Sequence, residues 1–124
     1  MRATQMQLFA IIVWLHFPAE AQAEIRNADG NIVSTWCSTN ANRERFGDVA
    51  MQAGSCLGCL SSIIDIQSSG NAVNGKKACI PQNADISQMV DLFKNYVRDH
   101  PDRRHLLAAN LAAEAFALAF PCRP

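Results

Sequence analysis

The chain has 124 residues, with 11 basic and 11 acidic side chains and a formal net charge of zero. That length holds one domain, and that balance excludes a nucleic-acid binder working through a broad basic field. A hydrophobic content of 49% excludes a disordered chain; with only 7% aromatic residues, the abundant alanine points to packed helices rather than a β-sandwich.

Residues 1–23 read as a secretory signal peptide. Arg2 gives the early positive charge, Leu8 to Phe17 form a short apolar run, and Ala21-Gln22-Ala23 is a small-x-small cleavage site. The run is too short for a lasting membrane anchor, and no cysteine at the cleavage point offers a lipid attachment. Cleavage leaves residues 24–124 as one domain, with Arg2 and Glu20 both lost, so the charge balance stays at zero. Two histidines remain, His100 and His105. Export to an oxidising compartment makes disulfides the first reading of the cysteines. Cys37, Cys56, Cys79 and Cys122 are spread across the chain, and a domain this small gains from cross-links.

Four helical segments follow in order. The first runs weakly from Asn31 to about Asn42, after the Asp29-Gly30 turn signal, with Asn31 as the N-cap. The second is clearer: Phe46, Val49, Ala50, Ala53, Cys56, Leu57, Leu60, Ile63 and Ile64 repeat at three and four, and the helix ends near Gln67. Its Gly47, Gly54 and Gly58 suggest a tight helix crossing. A polar loop from Ser68 to Ala78 carries Asn74, Gly75, Lys76 and Lys77. The third segment opens with a capping box, Asp85 and Gln88, and stops at His100 before Pro101. The fourth spans about His105 to Phe120 and ends at Pro121. The expected fold is a small all-α, four-helix domain pinned by disulfides.

Chemistry is sparse. Cys56-Leu57-Gly58-Cys59 is a CxxC, yet it falls in mid-helix, where a bridge between positions i and i+3 is geometrically awkward. A zinc site from Cys56, Cys59, Cys79 and a histidine lacks a second close ligand pair. The sequence holds no phosphate-binding glycine loop, no nucleophile elbow and no evident acid/base carboxylate pair. We therefore expect a non-enzyme, with no cofactor and no metal. His100 and His105 flank a polar turn, Pro101 to Arg104, whose charges satisfy helix ends.

Cys56-Leu57-Gly58 with Asp65, Cys79-Ile80-Pro81, Gln88-Met89-Val90, His100-Pro101 with Arg104-His105, and Ala119-Phe120-Pro121-Cys122 occur in one order at close spacing. Over about residues 32–122 the chain resembles the Rap/Tai family, immunity proteins against type VI secretion amidase effectors. The resemblance implies an all-helical periplasmic protein, commonly a homodimer, that blocks the cleft of a cell-wall amidase and itself carries no catalytic set. Two departures stand out. Cys59 follows Gly58 where the family has tyrosine, and Ser62 stands where it has glycine.

Four cysteines allow three connectivities. The expectation here is Cys56–Cys79 and Cys37–Cys122, closing about 24 and 86 residues, with Cys59 left as a free thiol in the core. Blocking would be steric, by a rigid helix pair or the loop around Gly70–Lys77, with Asn74, Lys76 and Lys77 as candidate partner contacts. Zero net charge predicts specificity from local fit rather than long-range steering. Two other readings remain: a periplasmic binding or scaffolding module of the same fold, and a thiol-disulfide protein using Cys56 and Cys59.

Overall fold

The computed structural model describes residues 28–39 and 47–124. The signal-peptide assignment, residues 1–23, lies outside them, as do Phe46 and the expected end of the first helix at Asn42. Four α-helices follow in order: α1 (Gly30–Ser38), α2 (Asp48–Ser68), α3 (Ile86–Asp99) and α4 (Ala108–Ala119), with a 3-10 turn at Pro101–Arg103. No strand occurs among the described residues; three isolated β-bridges hold the connections instead.

The helices form one bundle. α1 packs on α2 and α3 on α4, while α2 also meets α4. Leu60, Met89, Phe93, Leu111 and Phe116 are fully buried and meet at the centre. Their periodicity places one face of each helix inward, and burying a side chain of this size contributes about 1.5–3 kcal/mol. The alanines of α4 supply the rest of that wall: Ala108, Ala112, Ala113 and Ala115 are buried, so neighbouring helices come close.

The helix starts differ from the expectation in two places. Asp29, not Asn31, caps α1; its carboxylate accepts from the Ile32 N–H at 2.9 Å, the stronger capping geometry for an acidic side chain at a helix N-terminus. α4 begins at Ala108 rather than His105, because Leu107 has a non-helical backbone (φ -55°, ψ 128°) and residues 104–106 form a turn after the 3-10 segment. No side chain caps α4. Its first orphan donor is met by backbone, Ala108 N–H to the Ala28 carbonyl at 2.9 Å. α3 starts as expected behind Asp85, whose carboxylate accepts from the Ser87 N–H at 2.8 Å and is thereby held below the usual carboxylate range. α3 ends at His100.

The glycines of α2 do not make the expected crossing. A Cβ at Gly47, which precedes the helix as its N-cap, or at Gly54 or Gly58 would meet nothing within 4 Å. The close approach is at Gly30. A Cβ there would stand 2.5 Å from Leu111 Cδ1 and 2.9 Å from the Arg104 carbonyl oxygen. Gly30 and Asn31 donate to the carbonyls of Leu106 and Arg104, at 3.0 and 3.2 Å, so the start of α1 lies directly on the corner between α3 and α4.

The four expected cysteines are all bridged, but the pairing is different. Cys37 joins Cys56 and Cys79 joins Cys122. Packing decides this. Cys37, near the end of α1, faces the middle of α2, with a Cα separation of 5.1 Å from Cys56. The Cys79 N–H donates to the Phe120 carbonyl at 2.8 Å and Ala78 bridges Pro121, which brings Cys79 and Cys122 to 4.9 Å. Both separations suit a disulfide. The expected pairing would have needed α2 to meet residue 79, whereas Cys56 points at α1. The two loops are sequential rather than nested, with separations of 19 and 43 residues.

Candidate functional site

Asn74 and Gly75 carry the site's shape. Both take positive φ, 48° and 72°, the pair of left-handed residues that a two-residue turn between antiparallel strands requires. The Val73 N–H donates to the Lys76 carbonyl at 3.0 Å and the Lys76 N–H returns to the Val73 carbonyl at 2.9 Å. A short projecting turn results, with Asn74, Gly75, Lys76 and Lys77 exposed.

Two layers of contacts fix this turn to the bundle. The first is Gln67, in the last turn of α2, which is 1% exposed. Its amide Nε2 donates to the Lys76 carbonyl at 3.1 Å and to the Ala113 carbonyl at 3.2 Å, tying turn, α2 and α4 together. The second layer is ionic. Lys76 Nζ lies 3.9 Å from Glu114 on α4. The Arg103 guanidinium donates to both Glu114 oxygens, at 3.0 and 2.7 Å, and also to the Tyr96 hydroxyl. Such a bidentate pair fixes geometry as well as charge.

Hydrogen bonding from Arg103 holds the Glu114 carboxyl below the usual glutamate range, and hydrogen bonding to Glu114 pushes the Arg103 guanidinium further up. Burial, then the charge of Glu114, raises the Tyr96 phenol. The sign for stability follows. A carboxyl with a depressed folded value contributes above its unfolded value, about 4.3, and loses that contribution as pH falls through the folded one. Glu114→Gln is therefore expected to unfold at lower urea concentration than wild type at pH 7. The gap should narrow steadily below about pH 4; a gap that is constant from pH 7 to pH 3 would contradict it.

The other sequence-selected residues are structural. His100 stacks on Tyr96, with ring centroids 4.1 Å apart, and its Nδ1 donates to the Tyr96 carbonyl at 2.8 Å. Arg104 closes the C-terminus of α3, donating to the carbonyls of Val97 and Arg98 at 2.8 and 3.0 Å. His105 is exposed. The segment from His100 to His105 is thus a corner piece, and Cys79-Ile80-Pro81 with Phe120-Pro121-Cys122 is one bridged and cross-linked unit.

Cys59 is free and half-buried, and burial pushes its thiol up. A raised thiol is a poor nucleophile. Cys56 is already joined to Cys37, so the CxxC is not a redox pair here, and the imagined zinc set is dispersed because Cys56 and Cys79 sit in separate bridges. Sequence reasoning missed Gln67 and the Arg103–Glu114 pair. A glutamine at an inward position of an apolar helix was the available sign of the first. The second joins residues 11 apart on different elements, which no local pattern marks.

No curated protein and no solved structure matches the sequence. A family model does: that of the Rap1a immunity proteins, over residues 29–122. This span runs from the Asp29 cap to the Cys122 bridge and takes in every described helix, the projecting turn and both disulfides. The chain belongs to the Rap1a immunity protein family.

Proposed function

We propose that this chain is exported to the periplasm, where it binds and sterically blocks a peptidoglycan amidase delivered by type VI secretion. The family match carries the immunity role. Support for a blocking mechanism comes from the turn at Val73–Lys76, which projects from the bundle yet is held by Gln67 and, through Lys76, by Glu114. A turn ordered before binding costs little to order on binding. Its Asn74, Lys76 and Lys77 are our candidate contacts. The two disulfides accord with an oxidising compartment. The chain needs no catalytic group for this task, and a second copy of it completes the active form.

The test uses the mature chain and a candidate type VI peptidoglycan amidase. Size exclusion with light scattering is expected to show a stable complex holding two copies of the chain. Lys77 is exposed and makes no ion pair within 4 Å among the described residues, so Lys77→Glu should leave the melting temperature unchanged. The same change should weaken amidase binding at least tenfold. Separate elution of the two wild-type proteins at micromolar concentration would refute the reading.

A further inference from the structure

α2 carries no charge from Val49 to Ile64, and only 17% of its 18-residue apolar stretch is buried. Its inward side is taken up by Cys56, Leu60, Ile63 and Gln67. Beside that side, a shallow seam runs between α2 and α3. Leu57 stands 44% exposed on it from α2, and Ile86 40% exposed from α3. Two apolar clefts open along the seam. One, of about 120 Å3, lies between Trp36, Ala53, Leu57 and Val90. The other, of about 130 Å3, lies between Ile64, Ile80, Ile86 and the buried Met89. Contiguous exposed apolar surface of this kind marks an interaction site.

The order of its parts points to what covers it. Ser61, Ile64 and Asp65 share a cleft with Ile86 and Met89, whereas Ala53 and Leu57 share theirs with Val90, so α2 and α3 run antiparallel along the seam. The projecting Leu57 and the cleft at Ile64 are two helical turns apart on α2, about 10 Å. Asp65 closes that end of the seam. Lys94, half-buried and one turn beyond Val90 on the same side of α3, closes the other. A two-fold axis through the middle of the seam exchanges its ends. Leu57 of one copy then stands over the cleft at Ile64 and Ile86 of the second, and Asp65 of one over Lys94 of the second. Knob meets hole and acid meets base, a match that a face bearing one sign of charge cannot make with itself.

We propose that this chain self-associates through the α2–α3 seam, as a two-fold dimer in which Leu57 of each copy fills the cleft at Ile64 and Ile86 of the other. The proposal rests on the reading that a second copy completes the active form, and it names the face. The turn at Val73–Lys76 is anchored on α4 instead, through Gln67 to Ala113 and through Lys76 to Glu114. Self-association therefore leaves the turn open, and each dimer presents two.

Sedimentation equilibrium of the oxidised mature chain, without amidase, tests this. Wild type is expected to be a dimer at micromolar concentration. Leu57→Glu changes an exposed position and is expected to keep the helical circular dichroism of wild type while weakening dimerisation at least a hundredfold. Asp65→Lys and Lys94→Asp should each weaken it at least tenfold, and the two combined should restore it toward the wild-type value. Restoration is a readout that simple loss of fold does not give. A wild-type chain that stays monomeric overturns the proposal. So does a folded L57E chain that dimerises as tightly as wild type, or a double charge variant no tighter than the single ones. The immunity reading predicts amidase binding by the monomeric L57E chain as well, so the two readings fail separately.

Discussion

Replacing Cys79 and Cys122 together with alanine is expected to destabilise the protein by about 4 kcal/mol, because the bridge removes a long loop from the unfolded ensemble. For a domain of this size that is a fall in melting temperature on the order of 20 °C. The Cys37–Cys56 bridge, with a separation of 19 residues against 43, should contribute less, about 3 kcal/mol. The ordering of the two double variants is the sharper expectation, since both act through the same loop-closure entropy. The Cys79–Cys122 bridge also has a local duty: it clamps the segment that leads out of the projecting turn onto the end of α4, where Cys79 bonds Phe120. Its loss is expected to weaken amidase binding as well, whereas loss of Cys37–Cys56, which joins α1 to the middle of α2, should cost stability alone. Urea unfolding of both double variants, with affinity measured alongside, checks this. Equal stability of the 79/122 variant and wild type would contradict it. Mass mapping of the oxidised protein should show peptides 37–56 and 79–122 linked, with one free thiol at Cys59.

Gly30→Ala is expected to destabilise where a glycine-to-alanine change inside a helix would ordinarily help. The added methyl would stand 2.9 Å from the Arg104 carbonyl oxygen and 2.5 Å from Leu111 Cδ1. The leucine tip can turn aside; the carbonyl belongs to the corner that receives the Gly30 and Asn31 N–H groups and cannot retreat without loosening them. Overpacking of this kind costs about 1–3 kcal/mol. Gly54→Ala and Gly58→Ala have the opposite sign. Both positions lie inside α2 with open space around them, and each change should stabilise by about 0.5–1 kcal/mol. Three variants with the same chemical change thus separate packing from propensity. Chemical denaturation of the three proteins reads the result directly, and a stabilised Gly30→Ala would show that α1 does not dock against the corner as described.

The helices were legible because their signals are local. Apolar residues at three and four mark α2, and Asp85 before an apolar face marks the start of α3. Pro101 and Pro121 mark ends, since proline disfavours helix in the residue before it. The choice of bridged cysteines was legible too, from their spacing along the chain and the expectation of export. What failed depends on residues far apart. Which cysteines pair is set by which face of α2 meets α1, and periodicity gives a face without naming its neighbour. Gly30 looked like a turn residue, although it is a packing residue whose neighbours, Arg104 and Leu111, come much later in the chain. Gln67 looked like the end of a helix, yet its buried amide anchors the turn at Lys76. The resemblance carried by Cys79-Ile80-Pro81 and Ala119-Phe120-Pro121-Cys122 pointed to the family, and those residues proved to be scaffold, bridged to one another. The surface proposed to meet a partner lies just before Cys79, in a turn whose sequence reads as ordinary polar loop.

The account stands on inhibition by shape. The most direct measurement is the release of cleaved peptidoglycan peptides by the proposed amidase partner, with the oxidised mature chain added in increasing amounts. Activity is expected to fall to background near one chain per enzyme, with no dependence on added metal or cofactor. An amidase that keeps full activity in a large excess of folded, disulfide-bonded chain would contradict the account.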